Sequence, residues 1–200
     1  ARLFVTDVDL NVAHVSIISF DEFTTIVQSA TQDSVVLQAA LSTPIEPVGG
    51  TDIAGALQEA GRVLSMTESS ATAVPIIILL TDGGSDSRDA LQVGQQLKDE
   101  GVRIVAISLL TMDSDPDLLR ALASSPADYY ETPSPGELEA IYTRLAEELN
   151  TAVAFNVAIT ETVNSNFNVI PNSLQPNGVV TSNQVVWQLP GLSNNEAAFT

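Results

Sequence analysis

Cysteine is absent from the 200 residues, which excludes disulfides, thiolate metal sites and cysteine nucleophiles. Basic charge is scarce: seven Lys and Arg stand against 25 Asp and Glu, a formal net charge of −18. Such a field repels phosphate backbones and anionic lipid and attracts cations, so nucleic acid is not an expected partner. Histidine occurs once, at His14, inside a strand-like pattern with no Ser or Cys partner in a recognisable motif, and is expected to be structural. Long apolar runs are missing too. The longest candidate, Val74 to Leu80, contains Pro75 and stops at Thr81-Asp82, well short of the ~20 residues of a membrane-crossing helix.

Motifs of catalysis are also missing. Gly50 to Gly55 has the glycine spacing of a phosphate-binding loop, but Ala56 stands where the lysine must be. No Gly-x-Gly-x-x-Gly follows a strand, and there is no Gly-x-Ser-x-Gly elbow or His-Glu-x-x-His. A binding module rather than an enzyme is expected.

What is present is a chain that is 44% apolar, enough for a packed core. Its composition changes near Asn150. All Lys and Arg fall between Arg2 and Arg144, whereas Thr151 to Thr200 carries only Glu161 and Glu196 as charges and is rich in Asn. Two domains are expected, 1–150 and 151–200.

In the first, aliphatic runs of strand length alternate with amphipathic helical patterns, the form of an α/β fold with a mostly parallel, doubly wound sheet. Strands are expected at Ala13 to Phe20, Thr24 to Ser29, Ile76 to Thr81, Arg103 to Leu109 and Tyr129 to Glu131, the first two as a hairpin across Asp21-Glu22. Helices are expected from Asp52 to about Leu64, from Ser87 to Glu100 with Gly101 as C-cap, from Asp115-Pro116, and from Ser134-Pro135 with Glu137 closing a capping box. Asp86, Asp89, Asp113, Asp115 and Asp117 read as solvated loop and helix-start acids, because they lack the glycine and terminal glutamate of a calcium-binding loop.

The period changes in the second domain. Phe155, Val157 and Ile159, then Val185, Trp187 and Leu189, alternate with their neighbours as half-buried antiparallel strands do, with turns expected at Pro171-Asn172, Pro176-Asn177-Gly178 and Pro190-Gly191. Trp187 reads as core. About fifty residues are half of a β-sandwich.

Two loops hold the residues best placed for binding. Ligands of open α/β sheets sit beyond the carboxyl ends of the strands. There, Gly49-Gly50-Thr51-Asp52 leads into a helix and Thr81-Asp82-Gly83-Gly84 follows the most apolar strand. The Thr51 hydroxyl and the Asp82 carboxylate are hard oxygen donors of the kind that select Mg²⁺, Mn²⁺ or Ca²⁺. Each has a second reading: Thr51 as a helix N-cap, Asp82 as a turn cap.

The order Ile17-Ile18-Ser19-Phe20, Gly49-Gly50-Thr51-Asp52-Ile53, Ile78-Leu79-Leu80-Thr81-Asp82-Gly83 and Gly101-Val102-Arg103-Ile104-Val105-Ala106-Ile107 resembles the von Willebrand factor A domain over about Ala1 to Asn150. The resemblance implies a Rossmann-like fold and a metal ion-dependent adhesion site in which Thr51 and Asp82 are ligands. It also implies a central first strand and an Asp-x-Ser-x-Ser motif, neither of which occurs before Val12. Ala1 to Thr6 would then end the first helix, and this stretch alone is expected to bind metal weakly or not at all. The function implied is metal-dependent binding of a protein offering an Asp or Glu carboxylate, by an exported bacterial surface protein whose second segment resembles extracellular β repeats. A structural or assembly module that needs no metal is the alternative.

Overall fold

Aliphatic runs such as Ile76-Ile77-Ile78-Leu79-Leu80 have no polar face, so they are stable only where both sides of a strand are covered. The computed structural model provides that cover. It describes residues 2–44, 49–67, 73–82, 87–109, 115–132, 134–162, 179–181 and 184–193. Two units separate within it, Ala1–Asn150 and Thr151–Thr200.

The first unit runs α1 (Arg2–Asp7), β1 (Val15–Phe20), β2 (Thr24–Thr31), α2 (Ser34–Ala40), α3 (Ile53–Met66), β3 (Ile76–Thr81), α4 (Ser87–Asp99), β4 (Arg103–Leu109), α5 (Pro116–Leu122), a 3-10 turn (Pro126–Asp128), β5 (Tyr129–Thr132) and α6 (Pro135–Thr151). Strands β3, β4 and β5 form a parallel sheet with β4 in the centre, pairing Leu79 with Ala106 and Ala106 with Tyr129. Alternate residues divide between two cores. Ile77, Leu79, Ile104 and Ala106 pack with Ile53 and Leu57 of α3, Leu97 of α4 and Leu119 and Leu122 of α5. Val105 and Ile107 pack on the other face with Tyr142 and Leu145 of α6 and with Phe4 of α1. This is the doubly wound arrangement the sequence predicts.

Among the described residues the sheet is not continuous. Strands β1 and β2 pair antiparallel in a sheet of their own, and among the described residues neither β1 nor β3 has a second strand neighbour. Yet Phe20 of β1 packs on the core that holds Ile77 and Leu79, under α3. All six residues of β1 stay half-buried, whereas the first six of β4 are fully buried. The fold expected from the sequence lacks its central first strand, and among the described residues β1 has no strand neighbour but β2, and β3 none but β4.

Local chemistry explains most helix ends. Gly101 adopts φ +86, its N–H donates to Lys98 O and the Val102 N–H to Leu97 O, which closes α4 as a Schellman cap. Asp115 caps α5 by accepting the Leu118 N–H at 3.0 Å, with Pro116 following. In the capping box of α6 the Ser134 hydroxyl donates to the Glu137 carboxylate at 2.8 Å and accepts its N–H at 3.4 Å. Asp89 and Asp117 lie in the first turns of α4 and α5, where acids favour the positive helix end; Asp86 and Asp113 lie outside the described residues. Helix α2 was not foreseen: Asp33 caps it, accepting from Val35 and Val36. His14 is exposed and precedes β1, which begins at Val15 rather than Ala13.

The second unit holds an antiparallel sheet of β6 (Ala152–Thr162), β8 (Gln184–Ser193) and β7 (Val179–Thr181), in the order β6-β8-β7. The turn expected at Pro190-Gly191 is not there; both residues continue β8. Leu189 and Gly191 on either side of Pro190 pair with Val157 and Phe155 of β6, and among the described residues β7 pairs only with Gln184 to Val186. The other two expected turns lie outside the described residues. No helix among the described residues is long and apolar enough to cross a membrane.

Candidate binding rim and metal-ligating residues

The hairpin turn between β1 and β2 consists of Asp21, Glu22 and Phe23, since Phe20 pairs with Thr24. It closes on itself. The Asp21 N–H donates to Phe23 O at 3.0 Å, and the Phe23 N–H donates to the Asp21 carboxylate at 2.7 Å. It also holds the Gly49–Asp52 loop: the Asp52 N–H donates to Asp21 O at 2.7 Å, and the Glu22 side chain lies against Gly49, where a Cβ would collide with it. Gly49 has φ +83, a conformation glycine adopts at little steric cost. Turn and loop form one braced unit.

From that unit α3 starts. Its N-cap is Asp52, whose Oδ1 accepts the Gly55 N–H at 2.8 Å. The reading of Thr51 as the N-cap is therefore corrected; the carboxylate one residue later takes the orphan amide. Gly55 makes this possible, because a Cβ there would strike the capping carboxylate. Thr51 is half-buried at the entrance to the helix.

Asp82 is the first residue beyond β3 and is exposed, while Thr81, the last residue of the strand, is buried beside Ser108 of β4. Residues 83–86 lead from Asp82 to α4 and lie outside the described residues. The first turns of α3 and α4 flank a cleft of about 290 Å³ whose polar lining is Asp52, Gln58, Asp89 and Gln92. A larger cavity of about 400 Å³, lined by His14, Ile26, Arg62 and Met66 among others, belongs to the β2 edge and the C-terminal half of α3.

The donors at the rim have the right chemistry for a hard divalent ion, but there are few of them. Among the described residues no group of three or more His, Asp or Glu could hold a metal ion. One hydroxyl and one carboxylate fall short of the roughly six oxygens that Mg²⁺ or Ca²⁺ takes. The described residues do not complete a cation site by themselves. Sequence reasoning also missed Asp21, Glu22 and Phe23 as parts of this rim, because only tertiary contacts bring the hairpin to the loop.

Comparison with known proteins places this geometry. The profile of the von Willebrand factor type A domain matches residues 4–144. No curated protein matches the chain. Among solved structures, a von Willebrand factor type A protein from Catenulispora acidiphila superposes with a TM-score of 0.67 at 16% identity, covering 96% of this chain and 50% of that one. Proximal thread matrix protein 1 from the mussel byssus gives 0.65 at 16% identity over 81% of this chain and 42% of its own. A further structure of the mussel protein, described as having a zinc-occupied MIDAS motif, gives 0.55 at 23% identity over 66% and 34%. The pilus adhesin SpaC from Lactobacillus rhamnosus GG, in its open conformation, gives 0.61 at 16% identity over 98% and 34%. These identities make the structural likeness one of fold, and this chain spans half or less of the length of each of these structures. With the match to 4–144 and the doubly wound sheet in place, the chain belongs to the von Willebrand factor type A domain family.

Proposed function

We propose that this chain is a protein-binding module of adhesion type whose binding rim is the Gly49–Asp52 loop together with the exit of β3 at Asp82. The carrying observation is that the first two turns of α3 and α4, the helices that follow these two segments, flank a single cleft lined by Asp52 and Asp89, with Thr51 and Asp82 outside its lining. Solved relatives of the fold include a byssus matrix protein and a pilus adhesin, which supports this class of function. It also supports an extracellular or cell-surface location, and we assign the chain to an exported bacterial protein with the second unit as the start of a β-sandwich repeat.

In this reading Thr51 and Asp82 supply two oxygens to Mg²⁺, Mn²⁺ or Ca²⁺. The remaining protein ligands arrive on a strand outside these 200 residues that enters between the inner edges of β1 and β3. The ion, when bound, offers a coordination position to an Asp or Glu carboxylate of the partner. Asp52 is assigned to the α3 cap rather than to the ion, since its Oδ1 accepts the Gly55 N–H.

The second reading, a metal-independent structural or assembly module, is favoured by the absence of a three-residue ligand group among the described residues. Mn²⁺ titration separates the two, carried out on this chain and on the chain extended by the strand that completes the sheet. The extended chain is expected to bind Mn²⁺, and Asp82→Ala or Thr51→Ala to weaken binding by at least about tenfold. An equal response from the parent and Asp82→Ala would leave the structural reading standing.

A further inference from the structure

Phe23 is 67% exposed at the tip of the β1–β2 turn. The other large apolar side chains exposed among the described residues, such as Val12, Val35 and Met66, carry no ring, and single exposed apolar residues are ordinary on a protein surface. Phe23 differs in two respects. It is aromatic, and its backbone is fixed by two hydrogen bonds within the turn and, through Asp21, by a third to the Gly49–Asp52 loop. An aromatic ring on a braced turn has only two side-chain torsions to immobilise, so binding to it costs little conformational entropy.

The neighbouring charge indicates what binds. Glu22 is exposed, makes no salt bridge among the described residues, and stands next to the ring in sequence. Elsewhere this chain combines an aromatic ring, a carboxylate and a guanidinium. Arg120 lies 4.7 Å from the Tyr129 ring centroid and bonds the Glu131 carboxylate at 3.0 Å, and Arg144 lies 5.1 Å from the Tyr130 centroid. Glu22 and Phe23 occupy adjacent positions of the turn, the Glu22 carboxylate lying against Gly49 and the ring exposed, with no salt-bridged cation at either among the described residues. With 25 acidic residues against seven basic ones, a partner is the natural source of that cation. A purely aliphatic partner would have to strip water from Glu22 without compensation.

We propose that the Asp21–Phe23 turn docks a basic segment of a partner protein, with an Arg or Lys side chain over the Phe23 ring and beside the Glu22 carboxylate. This contact needs no cation at Thr51 or Asp82. It adds to the protein-binding reading and stands or falls separately from the metal.

The test uses the full chain in a buffer containing EDTA, with a hexa-arginine peptide as probe and calorimetry or amide NMR as readout. Phe23→Ala is expected to weaken binding about fivefold, close to 1 kcal/mol. Phe23→Leu, which keeps an apolar side chain but no ring, is expected to weaken it nearly as much, and serves if the alanine variant folds poorly. Glu22→Gln is expected to weaken it more than Glu139→Gln, an equal loss of charge on an exposed position of α6. Equal affinities for the parent and both Phe23 variants overturn the proposal. So does equal weakening by Glu22→Gln and Glu139→Gln, which would mark diffuse attraction to an acidic protein, and so does self-association of the chain that is lost in Phe23→Ala. Loss of Mn²⁺ binding in the separate titration leaves this result unaffected, so the two readings fail independently.

Discussion

The backbone N–H of Asp52 donates to the carbonyl oxygen of Asp21 at 2.7 Å. Through this bond the start of α3 is tied to the hairpin as well as to the core it shares with β3, so the position of Thr51 depends on a turn distant in sequence. Glu22 against Gly49 is the second anchor. Changes in the turn are therefore expected to register at the loop.

Gly49→Ala tests the second anchor. An alanine at φ +83 costs about 1–2 kcal/mol from backbone sterics, and its Cβ also displaces Glu22. Gly50→Ala, where a Cβ meets nothing within 4 Å, is expected to be near neutral. Urea unfolding of Gly49→Ala, with and without Glu22→Ala, separates the terms: the second change recovers the collision and leaves the backbone cost. Full recovery would mean that the left-handed conformation is not needed.

Gly55→Ala tests the α3 cap through a change of sign. In an exposed helix Gly→Ala stabilises by roughly 1 kcal/mol. Here the new Cβ strikes the Asp52 carboxylate and disturbs its 2.8 Å bond to the residue 55 amide, so a loss of about 1 kcal/mol is expected instead. In an Asp52→Ala background, where the cap is already gone, the same change is expected to stabilise. A double-mutant cycle by chemical denaturation measures this coupling, and additive effects would contradict the capping geometry.

Much of the first unit is legible in the sequence, for physical reasons. Strands β3 and β4 are covered on both faces, which forces continuous aliphatic runs, and the caps at Asp115-Pro116, Ser134-Pro135 and Gly101 use residues whose backbone or side-chain chemistry is distinctive. Helix α2 is not legible: it has seven residues and carries β-branched Val35 and Val36, which favour strands, directly after Ser34. The break between β1 and β3 is legible only through the resemblance, whose central first strand does not occur before Val12, because strand pairing itself is non-local. At the rim, local chemistry points to the Gly49–Asp52 loop, but the choice between Thr51 and Asp52 as cap depends on helix geometry. The exposure of Phe23 depends on where the hairpin docks.

A buried ion cluster fixes the opposite end of β4. Arg103 donates through Nε and Nη2 to one oxygen of Asp128 at 2.9 and 2.6 Å, Ser125 donates to the other at 2.7 Å, and Glu148 lies 2.8 Å from Nη2. Burial disfavours the charged guanidinium, but the hydrogen bonds and charge of Asp128, aided by Glu148, outweigh it and raise its pKa. Asp128→Ala removes the better-buried partner of the guanidinium and leaves Glu148 beside Nη2, and is expected to cost about 3 kcal/mol, the low end for a broken buried pair. Glu148→Gln, at a side chain 38% exposed, is expected to cost no more than about 1 kcal/mol. Equal losses in urea unfolding would show that Asp128 is not the principal partner.

All three tyrosines resist ionisation in the folded chain. Burial pushes Tyr142 up to about 12, and burial with a hydrogen bond to Glu131 does the same for Tyr129. Burial also raises Tyr130, against the opposing charge of Arg144. A tyrosine in the unfolded chain ionises near its ordinary value of 10.0, so between pH 10 and about 12 the unfolded state binds fewer protons than the folded one. Stability is then fully present below pH 10 and falls as pH rises through this window. Tyrosinate absorbance is expected to stay low until far-UV circular dichroism reports unfolding, so that the two transitions coincide. Tyr142→Phe removes one titrating group from a buried position and is expected to flatten the fall in stability between pH 10 and 12. A tyrosinate midpoint near 10 for all three residues, with secondary structure intact, would contradict the packing of Tyr142 between α6 and the sheet.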